Sequence, residues 1–298
     1  MKSDIYSSIT AKIIAQLEAG VAPWAKPWAG DAGVSAGSNV PTNHLTGKAY
    51  RGVNTLILWI AAAAAGYTSG RWITYKQAQQ IGAQVRKGEH GTQIAVYKPW
   101  ELREVNSAGE EVKKTVPVMR AYTVFAIEQC DGIAIDAAPV VPEPVSVRYV
   151  AADAILAQAS IAHGGDRACY APAIDKITLP VQAAFESPEA YYAIALHELT
   201  HWTGHKSRCA RDFNNKYGTQ AYAREELVAE LGAAFLCANL GIVGKLQHAE
   251  YIGEWITVLK GDKKAIFQAS SAAQKAFDYI MRSQESESVA EEEESVAA

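Results

Sequence analysis

The stretch HELTHWTGH, residues 197–205, contains two histidines four positions apart, with a glutamate directly after the first. On a helix, residues i and i+4 lie on the same face, so the imidazoles of His197 and His201 can bind one metal ion. Glu198 lies beside them as a candidate general base. The stretch therefore predicts a helix that carries a Zn²⁺ site, and Mn²⁺ accepts the same ligands.

A catalytic zinc ion needs a third protein ligand and an open position for water. His205 and Asp212 follow the two histidines, and Glu226 and Glu230 lie on the next predicted helix. We favour the two glutamates, because their i, i+4 spacing puts both carboxylates on one helical face. One can bind the metal while the other accepts a hydrogen bond from a ligand histidine. The reverse assignment of these two roles is the main alternative.

This spacing resembles that of the gluzincin metalloproteases, in which a ligand glutamate follows HExxH by a few tens of residues and has an acid at i+4. The resemblance implies that Glu226 is the third ligand and that Glu230 orients a ligand histidine. Glu225 faces about 100° away from Glu226 and is expected to be solvated.

The residue types of this site predict metal-assisted hydrolysis. Zinc lowers the pKa of bound water to about 7. Glu198 would take the proton of that water and pass it to the leaving amine, while zinc holds the developing oxyanion. A strand or hairpin is predicted upstream, over residues 170–179, and an edge strand there would align an extended peptide.

The composition excludes several classes of protein. The chain has 298 residues, 49% of them hydrophobic, enough for two domains. No apolar run approaches the ~20 residues of a membrane span, so no membrane partner is expected. The four cysteines form no CxxC pair, which favours a reducing cytoplasm over a disulfide scaffold.

We predict an α+β protein whose two domains differ in character. Residues 1–136 read as a mixed α+β domain, 137–147 as a proline-rich linker, 148–283 as a mainly helical domain and 284–298 as an acidic, disordered tail. Hydrophobic periodicity and caps predict helices over 4–20, 53–65, 74–84, 148–160, 188–204, 223–240, 248–260 and 269–283. Strands are predicted over 94–97 and 121–127, on either side of a charged loop or hairpin.

The front domain interleaves cations with aromatic residues, which suits single-stranded nucleic acid. Residues 1–136 hold 14 Lys/Arg against 11 Asp/Glu. Cations can follow phosphates while rings stack on bases without sequence preference. The candidate DNA-binding residues are Trp24, Lys26, Trp28, Lys48, Tyr50, Arg51, Trp72, Tyr75, Lys76, Arg86 and Lys87.

Longer blocks resemble the ArdC-type antirestriction proteins. In the front half they are PWAKPW (23–28), PTNHLTGKAYRGVN (41–54), WITYKQAQQIGAQVRKGEHGT (72–92) and VFAIEQCDG (124–132). HELTHWTGH and EELVAELGAAFL (225–236) resemble the zincin-like C-terminal domain of the same family. The front domain also resembles one found in TraC-type plasmid primases.

This resemblance implies a protein that binds single-stranded DNA and protects incoming plasmid DNA from host restriction during conjugation. Two other functions stay open. The chain could be a metalloprotease whose front domain recruits a protein substrate, such as a host restriction protein. It could also coat DNA, with zinc in a purely structural role.

Overall fold

The computed structural model describes residues 4–24, 40–105, 111–135, 145–213, 218–243 and 251–296. The helices are α1 (Ile5–Glu18), α2 (Val53–Ala65), α3 (Tyr75–Gln80), α4 (Val145–Leu156), α5 (Pro188–Thr203), α6 (Gln220–Leu240), α7 (Ile252–Gly261) and α8 (Ala265–Val296). The strands are β1 (Thr42–Asn43), β2 (Arg71–Ile73), β3 (Gln84–Val85), β4 (Thr92–Val105), β5 (Glu111–Ala126), β6 (Cys130–Asp131), β7 (Ile161–His163), β8 (Cys169–Ala171) and β9 (Lys176–Leu179). The α+β class predicted from the sequence is confirmed.

The front half is built on a sheet of order β1-β2-β5-β4, in which β4 and β5 form one long antiparallel hairpin. β4 lies at the edge of this sheet, and α2 lies beside it. The side chain of Asn54 on α2 bonds both backbone groups of Ala95, at 2.7 Å to its oxygen and 2.8 Å to its nitrogen. This side-chain amide satisfies backbone groups that an edge strand leaves open.

The back half places α5 and α6 side by side, next to a small sheet of order β7-β9-β8. α5 begins as its sequence predicts, with Ser187 accepting a hydrogen bond from the backbone N–H of Ala190 at 3.2 Å and with Pro188 in the first turn. It ends at Gly204. β8 is an edge strand antiparallel to β9, so the segment predicted as a strand or hairpin is a hairpin.

The two halves share one hydrophobic core. Trp24 meets Trp255 of α7 at a ring-centroid distance of 5.5 Å, and Trp59 of α2 lies 6.0 Å from Phe235 of α6. Polar contacts also join the halves, since the backbone N–H of Gly52 donates to Gln274 of α8 at 3.0 Å. α1 and α2 therefore pack against the helices of the back half as well as belonging to the front one.

Two boundaries differ from the sequence prediction. α4 begins at Val145, inside the predicted linker, of which residues 137–144 lie outside the described residues. α8 continues through the predicted disordered tail as far as Val296. Glutamate and alanine are favourable in helices, and extending a helix that is already anchored avoids the cost of nucleation.

None of the helices in the described part of the chain is long and apolar enough to cross a membrane.

Gly232 sets how closely α5 and α6 approach. A Cβ at this position would lie 2.4 Å from Cγ2 and 2.7 Å from Oγ1 of Thr200, a fully buried residue between the two histidines of α5. Because Gly232 has no Cβ, the side chain of Thr200 can lie against the backbone of α6, and the two helices approach closely enough for the glutamates to reach the histidines. Gly232 is therefore a packing residue of the site.

We expect Gly232→Ala to lower the free energy of unfolding by about 1–3 kcal/mol, the usual cost of overpacking a core. Gly253→Ala is the matched control, because Gly253 lies on α7 and a Cβ there meets nothing within 4 Å. The control should be neutral or more stable by about 0.5–1 kcal/mol, as for Gly to Ala in a helix. Urea unfolding of both variants measures the difference, and equal stabilities would contradict this account of the interface.

Candidate functional site

Three side chains from α5 and α6 converge in the back half. His197 Nε2 lies 3.4 Å from one carboxylate oxygen of Glu226, and His201 Nε2 lies 3.6 Å from the other. One ligand atom from each residue falls within 4.8 Å of the others. All three are nearly buried, with side chains 3%, 11% and 8% exposed for His197, His201 and Glu226.

These distances fit a divalent metal. With metal–ligand bonds of about 2.1 Å in tetrahedral geometry, neighbouring ligand atoms lie about 3.4 Å apart. Two imidazole nitrogens and a carboxylate oxygen are also donors that zinc and manganese accept. The predicted set of His197, His201 and Glu226 can therefore hold a metal with little rearrangement.

A second carboxylate supports His201. Glu225 Oε1 lies 3.1 Å from His201 Nδ1, on the side of the ring away from Glu226. Arg211 in turn donates to both oxygens of Glu225, with Nε at 3.0 Å from Oε2 and Nη2 at 2.9 Å from Oε1. A carboxylate at the second nitrogen of a ligand histidine fixes the ring orientation and tautomer.

The prediction that Glu225 is solvated is wrong, since its side chain is only 11% exposed. Glu225 does face away from Glu226 on α6, but the segment that follows α5 places Arg211 against this second face. Burial raises the pKa of Glu225, but the hydrogen bond from His201 and the charge of Arg211 outweigh it. The pKa of Glu225 therefore lies below its ordinary value.

His201 holds its proton tightly. Burial lowers the pKa of His201, but its hydrogen bonds to Glu225 and Glu226 raise the pKa more, to about 10. Burial likewise raises the pKa of Glu226, and the two histidines lower it by more, to well below its ordinary value. A divalent cation at this place has to displace that proton, so its binding releases a proton.

The assignment of Glu230 as the residue that orients a ligand histidine stays a prediction. At His201 the second ring nitrogen contacts Glu225, and Glu230 is not among the described residues whose donor atoms converge. Glu230 is buried, at 1% exposure. Together with burial, its charge raises the pKa of Cys237 to about 12.

The other two candidate ligands lie apart from the cluster. His205 Nδ1 lies 2.8 Å from Ser207 Oγ in the turn after α5. Asp212 is exposed. Within the described ranges, neither residue joins the converging group.

Two further side chains that can accept or donate a proton, those of Glu198 and Tyr222, lie beside the cluster. Glu198 lies on α5 between the two histidines and is 7% exposed. Tyr222 lies one helical turn before Glu226, and burial and a hydrogen bond to Glu226 raise its pKa. Its hydroxyl is 3.3 Å from that of Tyr251. Tyr222 is not among the candidate site residues predicted from the sequence, and its i, i+4 spacing to Glu226 is the signal that points to it.

The edge strand β8 is anchored to the end of α5. Tyr170 donates to Asp175 Oδ1 at 2.8 Å, and Arg208 pairs with both oxygens of Asp175. These bonds from Arg208 lower the pKa of Asp175 to about 2. The Arg208 guanidinium also lies 3.9 Å from the centre of the Trp202 ring.

A line of aromatic rings leads from this strand to the cluster. Tyr170 of β8 is 5.8 Å from Phe213, and Phe213 is 6.4 Å from His201, measured between ring centroids. The edge of β8 thus lies on the same side of α5 as the histidines.

The predicted DNA-binding residues separate into buried and exposed groups. Trp24 and Trp72 are core residues, each 1% exposed, so the expectation that their rings stack on bases is wrong. Tyr50 is half-buried, and Asn43 donates to its hydroxyl at 3.3 Å. The exposed members are Lys48, Arg51, Tyr75, Lys76, Arg86 and Lys87. Lys26 and Trp28 lie outside the described residues.

The β4–β5 hairpin presents aromatic rings that the candidate set left out. Tyr97 is 52% exposed and Trp100 is 50% exposed. Cations lie over neighbouring rings, with Arg120 at 5.6 Å from the centre of Trp100 and Lys98 at 5.0 Å from that of Tyr122. Tyr97 and Trp100 are three positions apart, so strand alternation puts them on opposite faces, and one alternating pattern in the sequence does not identify both.

Known proteins match both halves of the chain. Residues 3–125 match the N-terminal domain of anti-restriction factor ArdC, and residues 150–272 match a zincin-like metallopeptidase domain. The uncharacterized protein y4eC of Sinorhizobium fredii (strain NBRC 101917 / NGR234) is 38% identical over 284 residues, which is 93% of this chain and 92% of that protein.

Two proteins from Escherichia coli, each named DNA primase TraC, are 41% and 42% identical. Their matches cover 81% and 82% of this chain but only 18% and 24% of the primases. The resemblance to TraC therefore concerns a small part of a much longer protein.

Two solved structures share the fold over nearly the full length. Metal-free antirestriction ArdC from plasmid R388 is 39% identical, with a TM-score of 0.77 over 93% of this chain and 97% of that one. The Mn(II)-bound form of that protein is 38% identical, with a TM-score of 0.75 over 94% and 97%. This chain belongs to the ArdC family of antirestriction proteins, with an ArdC N-terminal domain followed by a zincin-like metallopeptidase domain.

Proposed function

We propose that this protein binds single-stranded DNA without sequence preference and protects incoming plasmid DNA from host restriction in the cytoplasm. We further propose that its back half is a metal-dependent peptidase. The observation that carries the second part is the convergence of His197, His201 and Glu226 at metal-ligand distances. The match of 93% of the chain to an antirestriction protein supports the first part.

The exposed surface of the front half supports DNA binding. Lys48, Lys76 and Lys87 are exposed cations, and the rings of Tyr75, Tyr97 and Trp100 are about half exposed. Cations attract phosphates, and exposed rings stack on bases of any sequence. Because both kinds of group face solvent, a single strand can contact them without unfolding the core.

The residues of the cluster have distinct roles in peptide hydrolysis. His197, His201 and Glu226 would hold Zn²⁺ or Mn²⁺, and Glu225 would keep the His201 ring in place. The bound metal would supply Lewis acidity and lower the pKa of a water molecule. Glu198 would accept the proton of the attacking water and give it to the leaving amine. Tyr222 has a hydroxyl that can donate to the developing oxyanion.

A second candidate function is a dedicated metalloprotease whose front half recruits a protein substrate. The edge strand β8 favours it, because among the described strands β8 pairs only with β9, and it lies on the histidine side of α5. An extended peptide that pairs with β8 would run past His201. In this case a host restriction protein is one substrate to consider, and DNA binding would be secondary.

Binding to single-stranded DNA across a salt series tests the main proposal. The dissociation constant for a labelled oligo-dT should rise steeply with salt, since each phosphate contact adds about 0.7 to the slope of log K against log salt. An oligo-dA of the same length should bind within a few-fold, and EDTA should leave binding intact, because the exposed cations lie outside the metal cluster. Fluorescence anisotropy measures all three. Absence of binding, or binding indifferent to salt, would overturn the proposal and favour the dedicated protease.

A further inference from the structure

A cleft of about 800 Å³ lies where the two halves meet. The front half contributes Arg51, Asn54 and Tyr97, with Tyr6 of α1 beside them. The back half contributes Arg211, Lys264 just before α8, and one face of α8 itself. The polar residues of that face are Gln268, Ser271, Gln274, Lys275 and Asp278. We call this feature the junction cleft.

Its charge is predominantly positive. Among the described residues that line the junction cleft, four are cations, namely Arg51, Arg211, Lys264 and Lys275, and one is an acid, Asp278. Arg51 is paired with Asp278 and Arg211 with Glu225, so the net positive charge of the cleft comes from Lys264 and Lys275. A cleft lined by one sign of charge concentrates the field and attracts the opposite charge. The ligand it suits is a polyanion.

The length of the junction cleft and its exposed aromatic ring favour single-stranded over double-stranded nucleic acid. Lys264 and Lys275 are eleven positions apart, a rise of roughly 16 Å along a helix, which spans several nucleotides. The ring of Tyr97 is 52% exposed at the wall of the cleft, and its hydroxyl lies 3.3 Å from that of Tyr6. An exposed ring that lines the same cleft as the cations provides stacking for an unpaired base, which a duplex does not offer.

We propose that single-stranded DNA runs through the junction cleft, with phosphates on Lys264, Lys275 and Arg51 and a base on Tyr97. This inference rests on the proposed function, and it adds that α8 of the metallopeptidase half is part of the DNA-binding surface. DNA in this position lies next to Arg211, which holds Glu225 against His201. The strand therefore passes close to the support of the metal cluster.

The first test is the double variant Lys264→Gln/Lys275→Gln in the full-length protein. Because this variant removes two cations that would bind phosphates, the slope of log K against log salt should fall by about 1.4, and oligo-dT binding at about 0.1 M salt should weaken about 10–30-fold. Lys12→Gln/Lys206→Gln is the matched control, because both lysines are exposed and neither lines the cleft. Thermal unfolding and metal binding of both variants check that the fold is retained.

The second test uses the wild-type protein and two native thiols. Cys209 lines the junction cleft and is partly exposed, whereas Cys169 is exposed on β8 and is not among the cleft residues. Saturating oligo-dT should slow alkylation of Cys209 by iodoacetamide and leave that of Cys169 unchanged, as read by peptide mass spectrometry.

The outcomes separate this inference from the proposed function. If the wild type shows no salt-dependent binding of oligo-dT, both fail. If the wild type binds but the Lys264→Gln/Lys275→Gln variant matches its control, and Cys209 stays as reactive as before, DNA binds elsewhere and only the junction cleft is excluded. A weaker, less salt-sensitive double variant together with protection of Cys209 supports the cleft.

Discussion

Replacing Glu226 with Gln should weaken binding of Zn²⁺ or Mn²⁺ by more than about 100-fold, because it removes a direct ligand, while changes to residues that only support the ligands cost about 10–100-fold. Glu226 spans both histidines, at 3.4 Å from His197 Nε2 and 3.6 Å from His201 Nε2. A neutral amide keeps the size of the side chain but loses the anionic oxygens. Isothermal titration of the metal-stripped variant measures the affinity.

Two further variants make this result specific. Glu225→Gln should weaken the metal by about 10–100-fold, since it changes only the partner of His201 Nδ1. Asp212→Asn should leave the affinity unchanged, because Asp212 is exposed and outside the cluster. If Asp212→Asn weakens binding as much as Glu226→Gln does, the ligand set proposed here is wrong.

The parts of the site that follow from local rules could be predicted from the sequence. Ser187 and Pro188 predict where α5 begins, and Gly204 predicts where it ends. The i, i+4 spacing puts His197 and His201 on one face without any knowledge of the rest of the fold. The carboxylate of Glu226 was expected to face them, and the structure brings it to them.

The parts of the site and the fold that depend on distant packing could not be predicted from the sequence. The position of Glu225 is decided by Arg211, which reaches it from the segment after α5, and no helical periodicity describes that path. The same limit applies to Trp24 and Trp72. Their aromatic character fits either a stacking platform or a core, and only the contact of Trp24 with Trp255 across the two halves shows that Trp24 belongs to the core.

The hydrophobic core shared by the two halves could not be predicted from the sequence either. The apolar faces of α1 and α2 predict that these helices are buried, but an amphipathic pattern does not say against which partner. The proline-rich segment predicts a linker between two domains. Across it, Trp59 packs on Phe235 and Thr10 donates to the backbone oxygen of Lys263 at 2.8 Å, so the front helices pack against the back half.

The second prediction with a large expected effect concerns Glu198 as the general base of peptide hydrolysis. Glu198→Gln should slow metal-dependent hydrolysis of a fluorescent casein by about 10²–10⁴-fold, the usual contribution of a general base. Metal affinity should change little, because Glu198 is not among the converging ligands, and binding to oligo-dT should stay as in the wild type. Casein cleavage by protein reconstituted with Zn²⁺ or Mn²⁺ gives the rate, and Asp212→Asn serves again as the control with an acid-to-amide change outside the cluster.

The Glu198→Gln variant also tests whether metal-dependent hydrolysis is needed for antirestriction. Loss of protection, measured as the transfer frequency of a plasmid into a restricting recipient, would mean that hydrolysis is part of antirestriction. Full protection by a variant that no longer cleaves casein would mean that DNA binding is enough and that the metal stabilises the fold or serves another reaction. Casein cleavage that persists within about 10-fold of the wild-type rate would remove Glu198 from the mechanism, since a general base contributes at least about 100-fold.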